Sequence, residues 1–276
     1  MLPGLVLAGR YKLIAPLGEG AMGSVWKARD RTLGIDVAVK MLKAGVVPRR
    51  TLLALFAQEA ELSARMLSRH IVRVLDRGIL DDAFPFIVFE LLDGEELGKC
   101  LDREGHLPPE QCADIVVQVC RALQRAHAVG AVHCDIKPEN LFLGTDGLVK
   151  VLDFGIATYA AARTKQHSTA TMSGTLEYMS PEHVLDGKAT DARGDLYALA
   201  VVAYRAFTGR VPFEGGTLGK LVVAYDAGPP PAPSTLCKEI PPSLDAWFEK
   251  TLHRDPDQRF QTAREMAEAF SLAYGA

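Results

Sequence analysis

The chain has 276 residues, 48% hydrophobic and 24% charged, with a formal net charge of −3. That is material for one large domain or two lobes with buried cores, and it provides no bulk electrostatic pull toward nucleic acid or an anionic membrane. Cys100, Cys112, Cys120, Cys134 and Cys237 form no Cys-x-x-Cys pair and are odd in number, which points to reduced thiols in a cytoplasmic protein rather than a zinc site. No uncharged apolar run is long enough to span a bilayer, and Met1-Leu2-Pro3-Gly4 lacks the basic start of a signal peptide.

In chain order, Tyr11–Leu17 alternates apolar residues and reads as a strand. Gly18-Glu19-Gly20-Ala21-Met22-Gly23-Ser24-Val25 follows, with glycines at a spacing that lets backbone amides approach an anion. A dinucleotide-binding unit would continue into a helix. Here Val25–Arg29 reads as another strand, and after a turn at Asp30–Gly34 so does Asp36–Leu42, which ends near Lys40. A glycine flap between antiparallel strands suits a lid over phosphates. A lysine at a strand end is commonly solvated; as a phosphate contact it needs a fixing carboxylate. The amphipathic helix expected over Leu52–Leu67 provides Glu59, one turn after Leu55 and Phe56 and preferred over Glu61. Strands at Ile71–Leu80 and Phe84–Leu91 complete a first lobe of about residues 10–92; Leu92-Asp93-Gly94 breaks the pattern, and a helix-rich second lobe runs over about 93–274.

Pro109–Val129 has a helical apolar face and is stopped by Gly130. It leads into His133-Cys134-Asp135-Ile136-Lys137-Pro138-Glu139-Asn140, the stretch richest in chemistry. Two short strands, Leu141–Leu143 and Leu148–Leu152, joined by Gly144-Thr145-Asp146-Gly147, read as a hairpin that returns Asp153-Phe154-Gly155 to the neighbourhood of Asn140. One oxygen to take a proton, two to hold a metal and one cation are the parts phosphoryl transfer uses. Ile156–Met179 has no sustained periodicity and ends in Gly174-Thr175-Leu176-Glu177-Tyr178-Met179-Ser180-Pro181-Glu182; Leu196–Tyr204 is apolar on all sides, as at the centre of a lobe. Further helices are expected near Leu218–Ala227, Ser243–Leu252 and Thr262–Ala273.

These motifs, in this order over Arg10–Ala273, resemble the bacterial eukaryotic-like (Hanks-type) Ser/Thr protein kinases. The resemblance implies an α+β bilobal kinase fold, with a small antiparallel first lobe carrying one main helix and a larger, mostly helical second lobe. It implies transfer of the ATP γ-phosphoryl group to protein Ser/Thr hydroxyls, with autophosphorylation. It gives Asp135 as the base, Lys137 as the phosphate-contacting lysine, Lys40 as the α/β-phosphate lysine with Glu59 as its partner, and Asn140 and Asp153 as ligands of Mg2+ or Mn2+. ATP would lie under Gly18, Glu19, Gly20, Ala21, Met22, Gly23 and Ser24, with Leu17, Val25, Ala38, Phe89, Glu90, Leu92 and Phe142 around the nucleotide. Asp195 would brace the catalytic-loop backbone, and Glu182 would pair with Arg259. Relatives dimerise through the first lobe, so a homodimer is a further expectation. The resemblance implies no nucleic-acid partner and no membrane contact within this chain.

Cys134 departs from the family, which commonly has an arginine there to pair with an activation-segment phosphate. A thiol offers no such charged fork, so activity is expected not to depend on phosphates at Thr164, Ser168, Thr169, Thr171 or Ser173, unless Arg163 or Lys165 substitutes. Cys134 is read as a small, partly buried residue, with a redox-sensitive thiol as the alternative. The rival functions are a nucleotide-binding pseudokinase scaffold and a small-molecule phosphotransferase; the latter generally lacks the Gly-Thr…Ser-Pro-Glu segment.

Overall fold

The computed structural model describes residues 2–20, 23–42, 66–80, 84–154, 176–186 and 190–275. The chain divides into two compact units, Met1–Leu67 with Val72–Asp93, and Ser68–Ile71 with Gly94–Ala276.

In the first unit the strands are β1 (Val6–Leu7), β2 (Tyr11–Gly20), β3 (Gly23–Asp30), β4 (Ile35–Leu42), β5 (Val74–Leu80) and β6 (Phe84–Glu90), ordered β1-β2-β3-β4-β6-β5 and paired antiparallel. Period-two alternation sends Trp26 and Ala28 of β3, Val37, Val39 and Met41 of β4, and Phe86 and Val88 of β6 into one buried cluster with Leu7, Tyr11 and Leu13. One edge is tied by Arg10, whose guanidinium donates to both Asp30 carboxylate oxygens at 2.9 and 2.6 Å and to Asp76 at 3.2 Å. With further N–H bonds from Leu33 and Thr32, that contact with Arg10 lowers the Asp30 carboxyl to about 2. The helix expected over Leu52–Leu67 lies, as far as residue 65, outside the described residues.

The second unit contains β7 (Gly94–Glu96), α1 (Leu97–Glu104), α2 (Pro109–His127), β8 (Leu141–Gly144), β9 (Val149–Val151), α3 (Pro181–Asp186), α4 (Ala192–Thr208), α5 (Leu218–Asp226), α6 (Pro233–Leu236), α7 (Ser243–Thr251) and α8 (Ala263–Tyr274). Helix α4 is its axis: Leu196 through Ala203 are all buried, and α2 and α7 pack against it. Asp191 caps α4 by accepting the Arg193 N–H at 2.8 Å, and Gly209 closes it at φ 78°. Strands β7, β8 and β9 form a small sheet in that order. Gly94, at φ 140°, is required there, because a Cβ would collide with the Leu143 carbonyl.

The expected strand at Ile71–Leu80 begins instead at Val74. Ile71 makes an isolated parallel bridge to Val151, and the His70 carbonyl accepts the Val151 N–H at 2.9 Å, so residues 68–71 belong to the second unit. Strand β7 and helices α1, α3 and α6 were not expected. Strand β7 exists by pairing with β8, and the three helices are only four to eight residues long, too short for a long apolar stripe.

Candidate active site

In the first unit, paired residues share a face and alternate residues return to it. Gly18 pairs with Val25, Val25 with Lys40, and Ala38 with Phe89. Gly18, Val25, Ala38, Lys40 and Phe89 therefore share the sheet face opposite the Trp26–Val39 core. The flap is the distal end of the β2–β3 hairpin, where Glu19 pairs with Ser24 and Gly20 with Gly23. A Cβ at Gly18 or Gly20 would meet nothing within 4 Å, so the backbone there stands open to a ligand. Leu17 is exposed, Leu92 is half-buried just past β6, and Glu90 accepts the Arg73 N–H at 2.9 Å. Ala21, Met22 and Glu59 lie outside the described residues.

In the second unit, α2 delivers the chain to the 133–140 loop, and α4 fixes that loop from behind. Asp195, 1% exposed, accepts the His133 N–H on Oδ2 and the Cys134 N–H on Oδ1, each at 2.8 Å, and contacts His127 Nε2 at 2.8 Å. This grip holds Cys134 at φ 64°, a left-handed conformation that costs a non-glycine residue ~1 kcal/mol. The fully buried His133 ring joins the loop to the following segment. Its Nε2–H donates to the Leu152 carbonyl at 2.7 Å, its Nδ1 accepts the Asp135 N–H at 3.2 Å, and the ring meets Phe154 edge-to-face at 4.6 Å. Those two bonds select the neutral ring with its proton on Nε2.

Asp135 is gripped through one oxygen. Its Oδ2 accepts from Lys137 Nζ at 2.9 Å and from Asn140 Nδ2 at 3.0 Å, and Asn140 Nδ2 also donates to the Asp135 backbone carbonyl at 2.7 Å. The other oxygen, Oδ1, takes no hydrogen bond among the described residues. The β8–β9 hairpin pairs Leu141 with Val151, and the Leu152 N–H donates to the Asn140 carbonyl at 2.8 Å. Asn140 and Asp153, thirteen residues apart in sequence, are thereby brought to one end of the hairpin; Asp153 sits at φ 57°. With its amide nitrogen spent on Asp135, Asn140 keeps a carbonyl oxygen for a ligand. Among the described residues no group of three His, Cys, Asp or Glu could hold a metal alone. Two protein oxygens suit a cation such as Mg2+, which completes its shell with water and phosphate. Phe142 is half-buried on β8 opposite Lys150.

Behind the loop, Glu182 and Arg259 form a two-pronged pair at 2.9 and 2.7 Å. Arg259, 2% exposed, also donates to the His253 and Arg254 carbonyls and lies 4.8 Å over the Tyr197 ring. Burial opposes ionisation of Glu182, but the contact with Arg259 outweighs it and lowers the carboxyl. Burial, with Asp195 and Asp135 nearby, pushes the Cys134 thiol up to about 12, which favours the small-residue reading over a reactive thiol. Arg163, Lys165, Thr164, Ser168, Thr169, Thr171, Ser173 and Thr175 lie outside the described residues. Sequence reasoning missed His127 and His133. The signal available for His133 was its place two residues before Asp135.

The family model described as protein kinase domain matches residues 11–271. The chain belongs to the protein kinase family. Its relatives place this kinase domain with the bacterial Hanks-type Ser/Thr kinases. It is 39% identical over 264 residues to a probable serine/threonine-protein kinase of Streptomyces coelicolor, covering 94% of this chain and 39% of that one. It is 36% identical over 264 residues to the serine/threonine-protein kinase PknB of Mycobacterium tuberculosis, covering 94% and 42%. A crystal structure of the Mycobacterium tuberculosis PknI kinase domain matches with a TM-score of 0.76 at 28% identity over 100% of this chain and 100% of that one. The expected kinase fold is thus borne out, with an antiparallel sheet in one unit and helices in the other. The chain spans about two fifths of the length of the curated relatives it matches. Members of the family use ATP and a divalent metal in general.

Proposed function

We propose that this chain is the catalytic domain of a Ser/Thr protein kinase and that it transfers the ATP γ-phosphoryl group to Ser and Thr hydroxyls of proteins, its own included. The observation that carries the reading is the Asp135 carboxylate, held on Oδ2 by Lys137 and Asn140, with Oδ1 taking no hydrogen bond among the described residues.

In this mechanism the substrate hydroxyl donates to Asp135 Oδ1, which orients it and takes its proton late. The Lys137 ammonium offsets charge on the moving phosphoryl group, and Lys40 serves the α/β-phosphates under the glycine flap. Asn140 and Asp153 would hold Mg2+, with Mn2+ as a substitute; the ion supplies neutralisation of phosphate charge. Val25, Ala38 and Phe89 provide apolar contact for the adenine, with Leu17 and Leu92 beside it, and the backbone of Glu90 to Leu92 its hydrogen bonds. Most of the rate then comes from positioning and fixed charge rather than covalent catalysis.

The partners are proteins carrying Ser or Thr. Exposed Leu33 and Ile35, 61% and 44% accessible on the β3–β4 turn and β4, support a homodimer through the first unit, and sedimentation at rising concentration tests it. No helix among the described residues is long and apolar enough to cross a membrane. The free cysteines support a reducing, cytoplasmic setting for this domain. The test of function is phosphosite mapping after incubation with ATP and Mg2+, wild type against Asp135→Asn. Phosphate on Ser and Thr in the wild type alone supports the proposal; no transfer, or transfer to Tyr alone, overturns it.

A further inference from the structure

Three segments of the second unit are stitched side by side, and the mechanism above uses none of the bonds that join them. Gln118 of α2 donates from Nε2 to the Gly147 carbonyl at 3.1 Å and accepts the Val149 N–H at 2.9 Å. On β9, the Val149 carbonyl accepts from His70 Nδ1–H at 3.2 Å, and the Val151 N–H donates to the His70 carbonyl at 2.9 Å. The parallel bridge of Ile71 to Val151 sets His70 beside Lys150. Each segment brings a cation to this seam. Arg69 precedes His70, Lys150 lies between Val149 and Val151, and Arg121 follows Gln118 by one turn, with Arg125 a further turn along the same stripe of α2. The buried His70 ring lies within their field. Burial first, then the charges of Arg121, Arg69 and Lys150, hold it below its ordinary pKa, against the bond to Val149. Several arginines elsewhere on this unit hold a carboxylate: Arg103 holds Glu95, Arg193 holds Asp191, and Arg254 holds Asp226. Arg69, Arg121 and Arg125 are exposed and hold none among the described residues. In a chain of net charge −3 this is a local reversal of sign. Guanidinium forks match carboxylates in two-pronged pairs and lose little freedom per bond. Cations spread along three segments suit an extended acidic chain better than a single small anion.

We propose that this basic ridge of Arg69, Arg121, Arg125 and Lys150 docks an acidic segment of the protein substrate, a run of Asp and Glu lying apart from the phosphoacceptor residue. The use of the site rests on the proposed kinase activity; binding to it does not. The chain itself links ridge and catalytic residues, since Lys150 lies three residues before Asp153 and α2 runs into the 133–140 loop. A docked segment raises the local concentration of its acceptor, so it lowers KM and leaves kcat unchanged.

The test measures binding of a fluorescent octaglutamate peptide to the whole chain by anisotropy. Wild type should bind it saturably, and more weakly as salt is raised. Arg69→Ala combined with Arg121→Ala should weaken binding about tenfold or more, the effect of losing charge-assisted contacts. Lys12→Ala combined with Arg31→Ala removes two exposed cations of the first unit and should change it by less than about twofold. All four side chains are exposed, so every variant should keep the wild-type unfolding midpoint. In the kinase assay, a Ser peptide carrying the octaglutamate on a series of flexible linkers should show a lower KM than the untailed peptide at one or more linker lengths. The Arg69/Arg121 double variant should lose that advantage at unchanged kcat and treat the untailed peptide as wild type does. No binding, equal weakening in both double variants, no KM advantage at any linker length, or tighter wild-type binding to phosphatidylserine vesicles or a DNA duplex than to octaglutamate overturns the proposal while leaving the kinase reading intact. Failure to phosphorylate any peptide or itself, with octaglutamate still bound at the ridge, overturns the kinase reading and the substrate role together.

Discussion

Asp195→Asn is the substitution whose cost can be worked most directly from the structure. Asp195 is buried and accepts three hydrogen bonds at 2.8 Å, two of them from the backbone N–H groups of His133 and Cys134. Asparagine keeps the shape but turns one acceptor into a donor, which then faces an N–H it cannot bond. A buried donor left unpaired costs about 1–3 kcal/mol, and losing the charge weakens the remaining bonds, so ~2–4 kcal/mol is expected out of a typical total of ~5–15. The left-handed Cys134 loses its anchor at the same time, and Asp135 is the next residue. A displacement of about 1 Å there is worth about 100-fold in turnover. Urea unfolding at constant m-value should therefore shift by that energy. Amide exchange at His133 and Cys134 should accelerate, and kcat should fall about 100-fold or more with the ATP KM little changed. Asp191→Asn, at an exposed helix cap, is the control and should change stability by under about 1 kcal/mol. An Asp195→Asn protein within ~0.5 kcal/mol of wild type with full kcat would refute the reasoning.

The Glu182–Arg259 pair should behave as a buried unit: Arg259→Leu or Glu182→Gln alone should cost about 3 kcal/mol or more, and a double-mutant cycle should return a coupling well above 1 kcal/mol. Additive costs would mean that the two side chains act separately. Asp30 has its carboxyl lowered from 3.8 to about 2, so its contribution is complete above the unfolded value and disappears as pH falls through that window. Acid titration of stability should therefore be less steep between about pH 4 and 2 in Arg10→Ala than in wild type, and identical curves would contradict the assignment. Because the Cys134 thiol is pushed up to about 12, iodoacetamide at neutral pH should label it far more slowly than an exposed thiol. Replacing Thr164, Ser168, Thr169, Thr171 and Ser173 together by Ala should cost less than about 100-fold in activity, whereas a greater loss would show that activation-segment phosphate is needed despite Cys134.

Much of this fold is legible along the chain where one pattern suffices. Alternation places Trp26, Val39 and Val88 in the core and, by the same count, Val25, Ala38 and Lys40 on the other face. The Asp146-Gly147 turn foretells the hairpin that brings Asp153 to Asn140. What escapes is fixed by partners remote in sequence. Strand β7 is three residues with no apolar alternation and exists because β8 offers it backbone groups. Nothing near His133 announces that its ring bridges Leu152 and Phe154, and nothing near Asp195 announces His127, 68 residues away. Arg205 looks like an ordinary helical cation until Tyr178 and Asp102 are found at its guanidinium.

Asp135 is assigned one task above all: it orients and deprotonates the acceptor hydroxyl without holding the nucleotide. Measuring nucleotide affinity and single-turnover transfer side by side in wild type and Asp135→Asn tests that most directly. ATP–Mg2+ affinity should stay within about threefold of wild type while transfer slows by about 1000-fold or more. Transfer at an undiminished rate in the variant, or a loss confined to nucleotide binding, would contradict it.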